Sequence, residues 1–219
     1  MGTRGSTVPG SGVVPRLYLV TPPVESPDDV TQGPLAQALA DALNATEIAA
    51  VLLRLAPGDE TAQLARIKAL RILVQSNGAA LLLDGHAELA AASEADGAHL
   101  TGIAALKAAV PKLKPARIAG CGGLATRDDA MMAGESGADY VMFGEPDAAG
   151  RRPSLEAVAE RVQWWTEIFE VPCVAFAGSL GDVETLARAN AEFVAVTDEI
   201  WRDPRSMRDA VSLTAEPVR

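Results

Sequence analysis

Aromatic residues make up only 4% of the 219-residue chain, which holds just two cysteines, Cys121 and Cys173, and two histidines, His86 and His99. Two cysteines set in apolar runs are too few for a disulfide framework and read as reduced thiols. No His/Cys cluster with metal-ligand spacing, no paired carboxylates and no Ser-His-Asp order stands out, so no metal ligand is assigned. Cations are scarce as well. Lys and Arg number 19 against 29 Asp and Glu, a formal net charge of −10. That balance argues against a nucleic-acid surface, which needs clustered basic residues, but leaves room for phosphate sites built from backbone N–H groups. No stretch reaches the apolar length of a membrane span, and no charged-then-apolar leader precedes a cleavage site, so a cytoplasmic protein is expected. Residues 1–15 are mostly Gly, Ser, Thr, Pro and Val, the composition of a mobile tail. Met1-Gly2-Thr3-Arg4-Gly5-Ser6 formally fits a myristoylation pattern, but the pattern is short and nothing else points to an anchor.

What the chain has is a core of small and branched aliphatics. Hydrophobic residues reach 48% with almost no rings, which suits parallel strands covered on both faces by helices. The segment Gly137-Ala138-Asp139-Tyr140-Val141-Met142-Phe143-Gly144 is the clearest example, an acidic turn leading into a short apolar run that ends on glycine. Versions of it recur after Glu47, Asp96 and Glu192, so the four acidic residues stand 49, 43 and 53 residues apart. Each interval holds two strand-helix units of ordinary length. The pattern predicts strands over 16–21, 48–54, 80–84, 97–100, 117–120, within 137–144, and over 172–177 and 193–197. Helices are expected over 34–43, from Asp59 to 76, over 87–94, up to the residue before Pro111, after a Thr126 cap, and over 153–169, 182–189 and 204–213. Eight strands each followed by a helix predict one (β/α)8 (TIM) barrel domain over 16–219. A doubly wound open sheet is the alternative, and it does not predict the eightfold count.

In such a barrel the site lies where the strands end. Those ends bring up Arg54, Asp84, His86, His99, Gly122, Gly123, Gly144, Gly178, Ser179 and Asp198. The glycines and Ser179 fall after strands five to eight, where free N–H groups bind phosphate, although they also serve simply to turn the chain. Arg54 ends an apolar strand, where its charge needs a partner or a ligand. Asp84 and His86 suit a ligand, a base or a cap of the following helix. His99, inside a strand, reads as a satisfied core histidine. The Trp164-Trp165 pair reads as helix packing with one ring partly exposed.

Several stretches taken together resemble a known family. Leu17-Tyr18-Leu19-Val20-Thr21, Leu81-Leu82-Leu83-Asp84-Gly85-His86-Ala87-Glu88-Leu89-Ala90, Ala95-Asp96-Gly97-Ala98-His99-Leu100, Gly137-Ala138-Asp139-Tyr140-Val141 and Val171-Pro172-Cys173-Val174-Ala175 follow one another as in thiamine phosphate synthases and the related thiazole tautomerases. The resemblance covers residues 16–204. It implies a reaction that joins hydroxymethylpyrimidine diphosphate to a thiazole phosphate, with magnesium helping pyrophosphate to leave. It also implies a phosphorylated small-molecule partner and is compatible with a homo-oligomer, while the charge balance and short apolar runs already argue against nucleic acid and membrane. Carried over by position, Arg54 matches the family's arginine, while Leu52 and Ala56 stand where it has glutamine and lysine. Gly85 falls on one metal-binding aspartate, and Thr101-Gly102-Ile103-Ala104 has no counterpart of the second. Gly123 sits near a diphosphate-binding serine, and Glu145-Pro146-Asp147-Ala148-Ala149-Gly150 replaces a Thr-x-Thr-Lys loop. Asp198 lies near a phosphate-binding serine, where a carboxylate repels the ligand. Each absent charge-assisted contact is worth about 1.5–3 kcal/mol. Three readings follow: a synthase with Arg54 and Asp84 as its catalytic residues, a tautomerase-like enzyme that has Leu124 and Ala125 where a histidine is expected, and a non-catalytic barrel binding a phosphorylated ligand.

Overall fold

Apolar runs with no polar alternation cannot leave either face in water, and in the computed structural model each becomes a strand buried on both sides. The structure describes residues 14–215. Most of the expected tail, the whole myristoylation pattern and residues 216–219 lie outside the described residues. The strands are β1 (Arg16–Val20), β2 (Ile48–Leu53), β3 (Ala80–Asp84), β4 (Gly97–Thr101), β5 (Ile118–Gly122), β6 (Tyr140–Phe143), β7 (Cys173–Ala177) and β8 (Phe193–Thr197). Sequence neighbours pair in parallel throughout, and β8 pairs back onto β1, with Arg16 opposite Phe193 and Val20 opposite Thr197. The sheet closes into the expected (β/α)8 barrel. The helices are α1 (Pro34–Ala45), α2 (Glu60–Ser76), α3 (Ala90–Ser93), α4 (Ile103–Leu113), α5 (Arg127–Glu135), α6 (Leu155–Ile168), α7 (Leu180–Arg188), α8 (Asp198–Trp201) and α9 (Pro204–Ala215).

Alternate positions along each strand divide the core in two. Leu17, Leu19, Val51, Leu81, Val141 and Cys173 point outward against the helices. Tyr18, Val20, Leu52, Leu82, Tyr140, Met142, Val174 and Phe176 fill the inside of the barrel. Both cysteines are buried free thiols in the outer layer, and burial pushes the Cys121 thiol up to about 12. The inner layer depends on glycine. A Cβ on Gly97 would collide with the Ile118 carbonyl, and one on Gly120 with the Tyr140 ring.

The acidic repeat has a structural cause at the opposite end from the mouth. Asp96 accepts the N–H of Leu81 (2.7 Å), Asp139 that of Ala119 (2.7 Å) and Glu192 that of Cys173 (2.9 Å). Each carboxylate just before an even strand thus holds the start of the odd strand before it. Glu47 plays a looser part, pairing with the Arg16 side chain at 3.1 Å. At the seam, the Trp201 indole N–H donates to the Val20 carbonyl (3.0 Å) across 181 positions of chain.

Some element limits differ from the sequence expectations, three of them with a clear cause. Helix α4 runs through Pro111 to Leu113 instead of ending before it; at the last turn, proline removes one hydrogen bond and the helix stops two residues later. Helix α7 starts at Leu180 rather than Asp182, because Ser179 is its N-cap and forms a capping box with Asp182. The single turn α8 is too short to show a period. Thr126 caps α5 as expected, accepting the N–H of Asp129 (3.0 Å). Trp165 is buried and stacks on Phe169 at 4.1 Å between centroids, while Trp164 stays partly exposed beneath Arg127.

Candidate functional site

The C-terminal ends of the strands converge on one mouth. Arg54, just past β2, places its Nε 3.7 Å from Oδ2 of Asp84 at the end of β3, and its backbone N–H donates to Thr21 Oγ1 (3.0 Å). Burial raises the pKa of Asp84, against the lowering pull of His99 and Arg54. Asp84 does not cap the turn that follows. That turn, Ala87–Leu89, begins at His86, whose Nδ1 lies 3.2 Å from its own neighbour Glu88. Asp198 opens α8 and pairs with Arg202 one turn on, at 3.4 Å. Asp147 is likewise engaged within its own loop, accepting the backbone N–H groups of Ala149 and Arg151 and the Arg151 side chain.

His99 is the hinge between the mouth and the barrel interior. It is 1% exposed and saturated at both ring nitrogens. Nδ1 lies 2.9 Å from the Tyr140 hydroxyl, which lies 2.9 Å from the Tyr18 hydroxyl; Nε2 lies 2.8 Å from Oε1 of Glu145. Oε2 of Glu145 accepts the N–H of Gly123 (3.1 Å). Four side chains from β1, β4, β6 and the loop after β6 therefore form one hydrogen-bonded line from the barrel core to its mouth. Burial alone would lower the His99 pKa, but the charge and hydrogen bond of Glu145, with Asp84 behind, outweigh it and raise the value. Burial drives both tyrosine hydroxyls far above their ordinary range, so they act as fixed donors and acceptors.

The glycines at the strand ends are spaces filled by neighbouring side chains. The Glu145 carboxylate occupies the volume that a side chain on Gly122 would need, and the Arg152 guanidinium occupies the corresponding volume at Gly178. Arg152 donates from Nε to the Gly144 carbonyl (2.9 Å) and from Nη2 to the Phe176 carbonyl (2.8 Å), and it lies over the Phe176 ring. The N–H groups of Gly178 and Ser179 donate to Asp182 Oδ2 (2.8 and 3.2 Å). Gly144 takes a positive φ of 97°, which lets the chain leave β6 toward that loop. Between the loops after β4, β5 and β6 lies a cleft of about 620 Å³, walled by Leu124, Met142, Pro146 and Pro153, with Glu145 and Arg152 among its polar groups. Sequence reasoning set Glu145 in the loop that replaces the Thr-x-Thr-Lys motif but did not pair it with His99, and it missed Arg152 and the two tyrosines. Alternation along β1 and β4 leaves the facing of Tyr18 and His99 undecided until the register of the barrel is known. No sequence signal marks Arg152, which acts from an irregular loop.

The family model described as Thiamine monophosphate synthase matches residues 17–200. The chain belongs to that family. A protein from Rhodospirillum centenum named thiamine-phosphate synthase is 37% identical over 205 residues, covering 90% of this chain and 94% of its own. A Hyphomonas neptunium protein of the same name is 33% identical over 193 residues, covering 85% of this chain and 86% of its own. Among solved structures, thiamine phosphate pyrophosphorylase from Pyrococcus furiosus superposes with a TM-score of 0.70 at 21% identity, over 93% of this chain and 98% of its own. 3-Hexulose-6-phosphate synthase gives 0.63 at 15% identity, over 90% and 98%. The two structural likenesses speak for the fold, and the family rests on the sequence matches. The resemblance carried by the five motif stretches is therefore that of a member.

Proposed function

We propose that this member of the thiamine monophosphate synthase family joins a hydroxymethylpyrimidine diphosphate to a thiazole phosphate at the barrel mouth and releases pyrophosphate. The observation that carries this reading is the 37% identity to a protein named thiamine-phosphate synthase across nearly the full length of both chains. A cytoplasmic location and phosphorylated small-molecule partners go with it. In this reading Arg54 meets diphosphate charge and Asp84 holds its guanidinium in place from 3.7 Å. The apolar cleft walls exclude water while the rings are aligned. Gly122, Gly123, Gly144, Gly178 and Ser179 surround the ground where the phosphates would rest, with Arg152 supplying charge once it exchanges its carbonyl partners for phosphate oxygens.

Magnesium, which the resemblance implies, meets a poor donor set. Asp84 faces Arg54, and among the described residues no three His, Cys, Asp or Glu side chains gather as a metal site. No step is assigned to the ion.

One observation favours the non-catalytic reading, a divergent barrel that binds a phosphorylated ligand without turning it over. The N–H groups of Gly123, Gly178 and Ser179 are already satisfied by Glu145 and Asp182, so phosphate must displace protein carboxylates to reach them. One assay separates the two. With both family substrates and magnesium, pyrophosphate and thiamine phosphate should appear, and Arg54→Ala should lower kcat/KM by at least about tenfold, the worth of one charge-assisted contact. No product at high enzyme concentration would overturn the synthase reading and leave the binding barrel.

A further inference from the structure

Four carboxylates near the mouth already have local tasks: Asp84 faces Arg54, Asp147 its own loop, Asp182 the start of α7 and Asp198 Arg202. Glu145 differs from all of them. It is held from inside the barrel by His99 and from the next loop by Gly123, it fills the space beside Gly122, and only 18% of its side chain remains exposed, in the 620 Å³ cleft. One protein donor reaches each oxygen, and a carboxylate oxygen carries two acceptor sites, so each retains capacity for a second N–H. A fixed, largely buried carboxylate repels a phosphate and rewards a donor. The walls beside it, Leu124, Met142, Pro146 and Pro153, are apolar and suit a flat ring.

We infer that Glu145, fixed by His99 and Gly123, is the specificity residue of the cleft, accepting the exocyclic N–H of an amino-bearing nitrogen heterocycle whose ring lies against the apolar walls. The inference deepens the synthase reading and rests on it for the ligand, the aminopyrimidine diphosphate. The amine and ring sit at the Glu145 end, and the diphosphate is left for the arginines. His99 is a positioning residue in this arrangement: it touches Glu145, not the ligand.

The test is a binding comparison made without the thiazole phosphate. Titrate the wild type and Glu145→Gln with the pyrimidine diphosphate and with its analogue carrying hydrogen in place of the amino group. The wild type should bind the amino compound at least about tenfold more tightly than the analogue. Glu145→Gln should bind both with similar, weaker affinity, so that the preference disappears. Thermal melting confirms that the variant is folded, and Asp147→Asn, which alters a carboxylate paired within its own loop, should keep the full preference. Equal binding of the two pyrimidines by the wild type, binding of neither, or a preference that survives in Glu145→Gln would each overturn the inference. The two proposals fail separately. An amine preference without turnover removes the synthase reading and keeps the role of Glu145, whereas turnover with an unchanged Glu145→Gln does the reverse.

Discussion

Replacing His99 by asparagine strands two partners at once, because the Tyr140 hydroxyl and the Glu145 carboxylate both lose a donor or acceptor inside or at the edge of the barrel. Removing one member of a buried hydrogen-bonded pair leaves the other desolvated and unmatched, so His99→Asn should cost about 2–4 kcal/mol in urea denaturation. The loss should depend on pH in a defined direction. The folded-state pKa of His99 is raised by Glu145 and Asp84, while the unfolded value is about 6.5. A group with a raised folded pKa contributes fully below its unfolded pKa and loses that contribution as pH climbs through the folded one. The stability gap between wild type and His99→Asn should therefore be level from about pH 5 to 6.5 and shrink above it. A gap that widens with pH would show that His99 is held neutral. The same residues mark what a sequence can and cannot say of a site. Arg54 and Asp84 are each legible as mouth residues because they stand at strand ends, but their pairing at 3.7 Å appears only in the structure. The filling of Gly122 and Gly178 is not legible, since the occupying groups of Glu145 and Arg152 arrive from a distant loop whose path follows from no local periodicity.

At the scale of elements, the repeated carboxylates are the part of the fold that sequence shows best and explains least. Their spacing reveals the two-strand period, but that Asp96, Asp139 and Glu192 each hold an amide at the start of the preceding strand is visible only once the register is known. Asp139→Ala should leave the Ala119 N–H without its 2.7 Å acceptor and the Lys114 ammonium without its ion-pair partner, at a cost of about 1–3 kcal/mol. Hydrogen exchange should show faster exchange at the start of β5 than at β7, where Glu192 still serves. Equal exchange at both would mean that the carboxylates are incidental to the ladder. Helix limits are less legible than strand positions. Pro111 is a reliable stop only when the helix has more than one turn still to run, and the capping box of Ser179 and Asp182 draws the start of α7 two residues earlier than the apolar pattern alone suggests.

At the scale of the whole molecule, closure is what makes these strands tolerable. With every strand apolar on both faces, an open edge would present unpaired N–H and C=O groups beside hydrophobic side chains. A chain ending at Ala189 lacks β8, α8 and α9 and leaves β1 and β7 each with one open edge. It should elute as aggregate and show no cooperative unfolding transition; a monodisperse product that melts cooperatively would mean that seven strands suffice. The architecture as a whole is legible from the eightfold count, because counting strands needs no knowledge of side-chain direction. The Trp201–Val20 hydrogen bond places the last tie of the barrel 181 positions after its first strand. A ribosome adding about 5–20 residues per second needs roughly 10–35 s to cover that distance. For that interval the emerging β1 has no β8 to meet, and its protection in the cell must come from α1, from β2 or from a chaperone.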